Sequence, residues 1–100
     1  MYLLQGKLLA KEGEREQLAA ILLQAAALME QAEGCRLYAV ATQAADPYGV
    51  HITELWKDQS AHDASLNVAG VRELIMQAMP LLAEPPQKGQ EYTVLGGLGT

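Results

Sequence analysis

An α+β fold, with helices packed on one face of an antiparallel sheet, is what the sequence predicts, and three observations predict it. Apolar side chains follow a two-residue period at the start of the chain and near its end, and form two short runs in its middle. Two other stretches carry them at three- and four-residue spacing, the signature of amphipathic helices. Finally, Asp46-Pro47-Tyr48-Gly49 joins the two central apolar runs in the residue order that a type I turn prefers.

Each element follows in order. Met1 to Ala10 places Tyr2, Leu4, Leu8 and Ala10 on one face and Leu3, Gln5, Lys7 and Leu9 on the other, which is a strand. From Lys11 the period changes, and Leu18, Ile21, Leu22, Ala25, Leu28, Met29 and Ala32 form one stripe of a long helix. Glu12, Glu14 and Glu16 crowd its start, where the helix dipole favours negative charge, and Gly34 stands where a left-handed terminating residue is wanted. Cys35 to Thr42 and Val50 to Trp56 read as a hairpin about the Asp-Pro-Tyr-Gly turn. Asp58 or Ser60 caps a short helix from Ala61 to Asn67, and Val71, Leu74, Ile75, Ala78 and Leu82 mark another, kinked or ended by Pro80. Glu84 to Gly89 is a loop rich in breakers, followed by a last strand with Tyr92 and Val94 alternating against Thr93 and Leu95.

Strand, helix, strand, strand, helices, strand is the βαββαβ order of ferredoxin-like α+β folds. A sheet covered on one side alone should alternate cleanly between apolar and polar residues. Here Leu37, Ala39 and Ala41 interleave with Tyr38 and Val40, and Leu3 and Leu9 with Leu4 and Leu8, so both faces are apolar. The helices cover one face, and the other calls for a second copy of the chain: a homodimer is expected. The alternative is a locally hydrophobic hairpin.

Length and charge narrow the field further. At 100 residues the chain is expected to form a single domain over residues 1–100. Twelve acidic residues against seven basic ones give a formal charge of −5, and the basic residues are scattered singly from Lys7 to Lys88. No basic stripe exists to neutralise phosphates, so nucleic acid is not an expected partner. Uninterrupted apolar runs such as Ala25 to Met29 fall far short of the roughly 20 residues that a membrane-spanning helix needs. With no signal-like start, a cytoplasmic protein without a membrane partner is expected. One cysteine, Cys35, and two histidines offer no recognisable zinc site, so no metal is expected.

A few residues stand out as candidates for chemistry. Trp56 is the sole tryptophan and shares a strand face with Ile52 and Glu54. A lone tryptophan is most often core, but a carboxylate among apolar side chains needs a partner or a raised pKa, and the combination suggests a pocket wall. His62 opens the short helix and shares its face with Ser65 and Leu66; it is the best proton acceptor in the chain, against the alternative of a surface histidine. His51 alternates to the opposite face, where a structural or interfacial role is expected. Ser65 lacks a nucleophile elbow, Cys35 reads as a small buried hydrophobe, and Gly96-Gly97-Leu98-Gly99 has no following helix to make it a phosphate loop.

The hairpin ending Glu54-Leu55-Trp56, followed at once by the capped Lys57-Asp58-Gln59-Ser60-Ala61-His62-Asp63, resembles the antibiotic biosynthesis monooxygenase family of the dimeric α+β barrel superfamily. The element order agrees over essentially the whole chain. Many family members carry a histidine nine residues after the tryptophan; here that position is Ser65, and His62 lies about one turn earlier on the same helix face. The resemblance provides no match for an axial haem histidine between Gly70 and Leu82.

What the resemblance implies is a cofactor-independent monooxygenase that oxidises a small phenolic, quinol or anthrone-like substrate with molecular oxygen, without flavin, metal or haem. His62 would be the catalytic base or hydrogen-bond partner, Trp56 the aromatic wall, and Glu54, Ser65 and Tyr38 orienting groups for the substrate. Two other functions on the same fold remain open: a non-catalytic dimer that binds a small molecule, and an isomerase acting on a small keto compound.

Overall fold

The computed structural model describes residues 1–100. Four strands, β1 (Tyr2–Leu9), β2 (Cys35–Ala41), β3 (Gly49–Trp56) and β4 (Gln90–Thr93), and three helices, α1 (Arg15–Leu28), α2 (Gln59–Ala64) and α3 (Val71–Ala78), follow the expected order. Single 3₁₀ turns at Met29–Gln31, Ser65–Asn67 and Met79–Leu81 extend each helix. The sheet runs β2-β3-β1-β4 with every pair antiparallel, the ferredoxin-like arrangement.

Register decides which residues share a face. Tyr2 pairs with Trp56, Leu4 with Glu54 and Leu8 with Val50, while Tyr38 of β2 pairs with Glu54 from the other side. That face carries the helices. Leu18, Ile21 and Leu22 of α1 pack with Leu74 and Ala78 of α3 around Val50 and Ala10, and a second cluster joins Met29, Ala32, Ala61 and Val71 to Trp56. The other face carries Leu3, Leu37 and Tyr92 alongside Gln5, Lys7 and His51, and the sheet there is open, with Leu37 and Tyr92 half-exposed.

Several boundaries differ from those the sequence suggests, each for a physical reason. Gly13 adopts φ +78°, so the chain turns before α1 begins at Arg15, and Glu16 alone of the three glutamates lies in its first turn. Asp58 is the cap of α2, its Oδ1 accepting from Ala61 N–H at 2.8 Å, which starts that helix at Gln59. The last strand stops at Thr93 because β1 has no further residue to pair: Tyr2 matches Thr93, and Val94 N–H donates to the Met1 carbonyl at 2.9 Å. Gly34 does take the left-handed backbone expected of it, at φ +85°, and a Cβ there would meet Lys57 Cγ at 2.7 Å. Cys35 is half-buried rather than buried.

The hairpin turn is tied to the rest of the fold by Asp46. Its Oδ1 accepts from the N–H groups of Tyr48 and Gly49 at 3.0 and 3.1 Å, and its Oδ2 lies 3.0 Å from Lys7 Nζ on β1. These backbone donors and the lysine hold its carboxyl down at about 2, from an ordinary 3.8. A depressed carboxyl pKa contributes stability that is complete above the ordinary value and lost as pH falls toward the folded one. Asp46→Asn is therefore expected to melt below the wild type at pH 6, with the gap closing near pH 2, as read from melting temperature across that range.

Candidate active site

Alternation along β3 sets Glu54 and Trp56 side by side beneath the helices. The Trp56 indole has no solvent exposure, and its Nε1–H donates to Glu54 Oε1 at 3.1 Å. The Glu54 side chain is 13% exposed. Burial raises its pKa above the usual carboxylate range, against the opposing pull of the Trp56 hydrogen bond and of His62.

Capping by Asp58 aims α2 so that His62 descends over this pair. Its Nε2 lies 3.9 Å from Glu54 Oε1 and its Nδ1 lies 3.0 Å from Asp63 Oδ1. An ionised Asp63 only accepts, so Nδ1 carries the hydrogen, and in the neutral imidazole Nε2, on the side of Glu54, is the accepting nitrogen. The imidazole is held between two aromatic rings: Trp56, edge-on at 5.8 Å and 82°, and Tyr2, tilted by 51° at 5.5 Å.

A cavity of about 300 Å³ opens beside these groups, between the sheet and helices α1 and α3. Tyr38, Glu54, His62 and Ser65 all line it, and the remainder of its wall is apolar. Burial, then the nearby Glu54 charge, push the Tyr38 phenol far above its usual range. Ser65 Oγ donates to the His62 carbonyl at 2.6 Å, which leaves its lone pairs for a guest. Of the five residues singled out from sequence, four converge on the cavity. Trp56 does not line it and stands behind Glu54 instead.

Sequence reasoning missed Tyr2 and Glu91. Tyr2 braces the imidazole, and its hydroxyl donates to Glu91 Oε2 at 2.8 Å. Glu91 in turn meets Lys88 Nζ at 2.7 Å. Desolvation, with that hydrogen bond to Glu91, pushes the Tyr2 phenol up to about 12. The signal available was the alternation that puts Tyr2 on the face of Leu4 and Leu8. His51 lies on the open face as expected, with a buried Nε2 that has no protein partner. A larger groove of about 510 Å³ also touches Ser65, but its titratable groups, Glu33, Lys57 and Asp58, include a solvent-exposed ion pair and no proton acceptor held in apolar surroundings. No three His, Cys, Asp or Glu side chains converge as a set of metal ligands.

A family model for antibiotic biosynthesis monooxygenase matches residues 1–75, a span that includes Tyr38, Glu54, Trp56, His62 and Ser65. The chain belongs to the antibiotic biosynthesis monooxygenase family. Solved structures agree. A candidate antibiotic biosynthesis monooxygenase from Chloroflexus aurantiacus is 36% identical, with 96% of this chain and 94% of that one covered at a TM-score of 0.85. A further candidate from Deinococcus radiodurans is 26% identical over 98% and 96% of the two chains, TM-score 0.81. One from Nitrosomonas europaea, at 19% identity, shares the fold over 94% and 89%, TM-score 0.86. No curated protein matches the chain. Within the family match the whole Glu54-Trp56-His62 arrangement is included, whereas Glu91 on β4 lies outside it. No helix is long and apolar enough to cross a membrane.

Proposed function

We propose that this member of the antibiotic biosynthesis monooxygenase family is a cofactor-independent monooxygenase acting on a small phenolic, quinol or anthrone-like substrate. The observation that carries this reading is a buried carboxylate and an imidazole, 3.9 Å apart, at the wall of an otherwise apolar cavity. Such a wall strips water from a bound hydroxyarene, and a nearby base then removes its activating proton. His62 Nε2 takes that proton. Glu54 lies beside the imidazolium that forms and offsets its charge, and Tyr38 and Ser65 orient the substrate oxygen. Trp56 acts through Glu54 as a positioning residue, and Asp63 fixes the imidazole tautomer.

For an anthrone-like substrate the overall change balances without any other reductant. The deprotonated carbon adds dioxygen, the O–O bond of the resulting peroxide breaks, and a CH₂ group becomes C=O. One oxygen atom stays in the product and the other leaves as water, the substrate having supplied both hydrogens and all the electrons. Flavin, metal and haem have no step to perform, so activity is expected to survive exhaustive dialysis against a chelator. Oxygen-electrode measurements with a panel of quinols and anthrones, and ¹⁸O₂ labelling of the product, test the reading. Tight binding without uptake above the uncatalysed rate would favour the non-catalytic reading instead.

The working unit we propose is a cytoplasmic homodimer of a single domain, residues 1–100, joined through the open sheet face. Leu3, Leu37 and Tyr92 on that face favour burial against a second copy. An obligate interface of this kind buries more than about 2,000 Å² in total. Light scattering at micromolar concentration is expected to give twice the chain mass, and Leu37→Asp to shift the population toward monomer. A monomeric wild type would sink the dimer.

A further inference from the structure

We infer that the ligand of this cavity is the neutral, hydroxyl-bearing form of an aromatic compound that carries an aliphatic substituent, with its hydroxyl on Glu54 and His62 and its substituent leaving past Ile75 and Met79. This rests on the reading of the cavity as the catalytic one, and three features of its wall support it.

The first is the balance of hydrogen-bonding groups. Glu54 is an acceptor when ionised, His62 presents the Nε2 lone pair, and Ser65 has spent its proton on the His62 carbonyl. Tyr38 is the one further hydroxyl on the wall. A site richer in acceptors than donors is satisfied by a ligand that brings hydroxyl protons, and less well by one that brings carbonyls in their place. The reduced form should therefore bind better than the oxidised form, which also lets product leave.

The second is charge. No lysine or arginine lines the cavity, and the one group able to become cationic, His62, is already flanked by Glu54 and Asp63. A carboxylate, sulfate or phosphate on the ligand would lose its water with no countercharge and would face Glu54. This excludes phosphorylated keto compounds from the same pocket.

The third is the rim. At about 300 Å³ the cavity is at the small end for ligand sites, so an aromatic head takes up much of it. Leu66, Ile75, Met79 and Pro86 line it and also reach solvent, so its mouth is apolar where a ligand confined to the interior would leave a polar one. Continuity of this rim with the cavity wall makes an aliphatic substituent of the same ligand its occupant. The methionine suits substituents of varied shape.

Anaerobic titration, which measures binding without turnover, tests this with 1,4-dihydroxynaphthalene, its 2-methyl, 2-propyl and 2-hexyl derivatives, its 2-carboxylate and the matching quinone. Each methylene covered by the rim should tighten Kd about fourfold, the equivalent of ~0.8 kcal/mol per buried CH₂. The carboxylate should bind about 10- to 100-fold more weakly than the neutral parent, the cost of an unpaired buried group. Met79→Lys and Ile75→Lys should each collapse the ratio of hexyl to parent affinity. A Kd independent of chain length, a carboxylate bound as well as the parent, or no binding of any member would overturn the inference. If the series binds as described yet no member supports oxygen uptake, the oxygenase reading falls and this one stands; uptake that ignores the substituent does the reverse.

Discussion

Replacing His62 by alanine is expected to lower turnover by about 10²-fold or more, the usual contribution of a general base, while the melting temperature changes little. The imidazole is 28% exposed and sits on a short helix capped by Asp58, so its removal opens the cavity wall without undercutting either core cluster. Steady-state rates on any substrate that the wild type oxidises, paired with a thermal melt, measure both. Full activity in the variant would move the proton acceptor to Glu54. Glu54→Gln separates the two roles. If an ionised Glu54 supports the imidazolium, loss of its charge at a midpoint above the ordinary carboxyl range contributes to the acid-side fall of kcat/KM, and Glu54→Gln removes that contribution and leaves only the fall that protonation of the base imposes. The sign of its effect on stability is opposite. A carboxyl whose folded pKa is raised favours the fold when protonated, and that stability is lost as pH climbs from the unfolded pKa through the folded one. Glu54→Gln should therefore be the more stable protein at pH 7 and lose that advantage below about pH 4, where the unfolded carboxyl is also protonated.

Trp56→Ala should be the most damaging single truncation in the molecule, costing about 3–5 kcal/mol, because a large side chain with no exposure leaves a cavity within the Met29, Ala32, Ala61 and Val71 cluster. Chemical denaturation of the variant against wild type reads this directly. Trp56→Phe should behave differently, at a cost of about 1 kcal/mol for the lost hydrogen bond. It keeps most of the ring volume and removes the indole donor that holds the Glu54 pKa down. The acid limb of kcat/KM should accordingly move to higher pH in Trp56→Phe, an effect that a purely structural tryptophan would not produce.

Much of this site can be read from local pattern. Alternation along β3 is enough to put Glu54 beside Trp56, and the spacing of His62 and Ser65 is enough to put both over one cavity. Alternation does not say which neighbour reaches the guest, and the larger, apolar Trp56 proved to be the one buried behind. Tyr38 illustrates a different limit. The β2 pairing shifts between Cys35 and Leu37, so that Cys35 matches Trp56 while Leu37 matches Leu55, and simple counting from Cys35 then gives the wrong face for everything beyond. Tyr2 and Glu91 were hidden for a third reason. Their places beside His62 depend on β1 pairing with β3 and β4, and long-range register leaves no trace in the spacing of nearby residues. The start of α1 turned on one backbone angle at Gly13, which charge patterning near Glu12 and Glu14 does not reveal.

The central position of β1 has a consequence for how the molecule comes into being. This strand is made before the other three, yet its neighbours are β3, ending at Trp56, and β4, ending at Thr93. Until more than half the chain has emerged, Tyr-Leu-Leu-Gln-Gly-Lys-Leu-Leu is an unpaired segment, apolar on both sides and open to pairing with any other chain. Closing such distant ends is the slow part of folding, since the entropy of the intervening loop is lost before the contact rewards it. Tyr2 belongs to that closure, so the brace on His62 forms with the completed sheet. A half-folded chain would carry the His62 imidazole without that alignment.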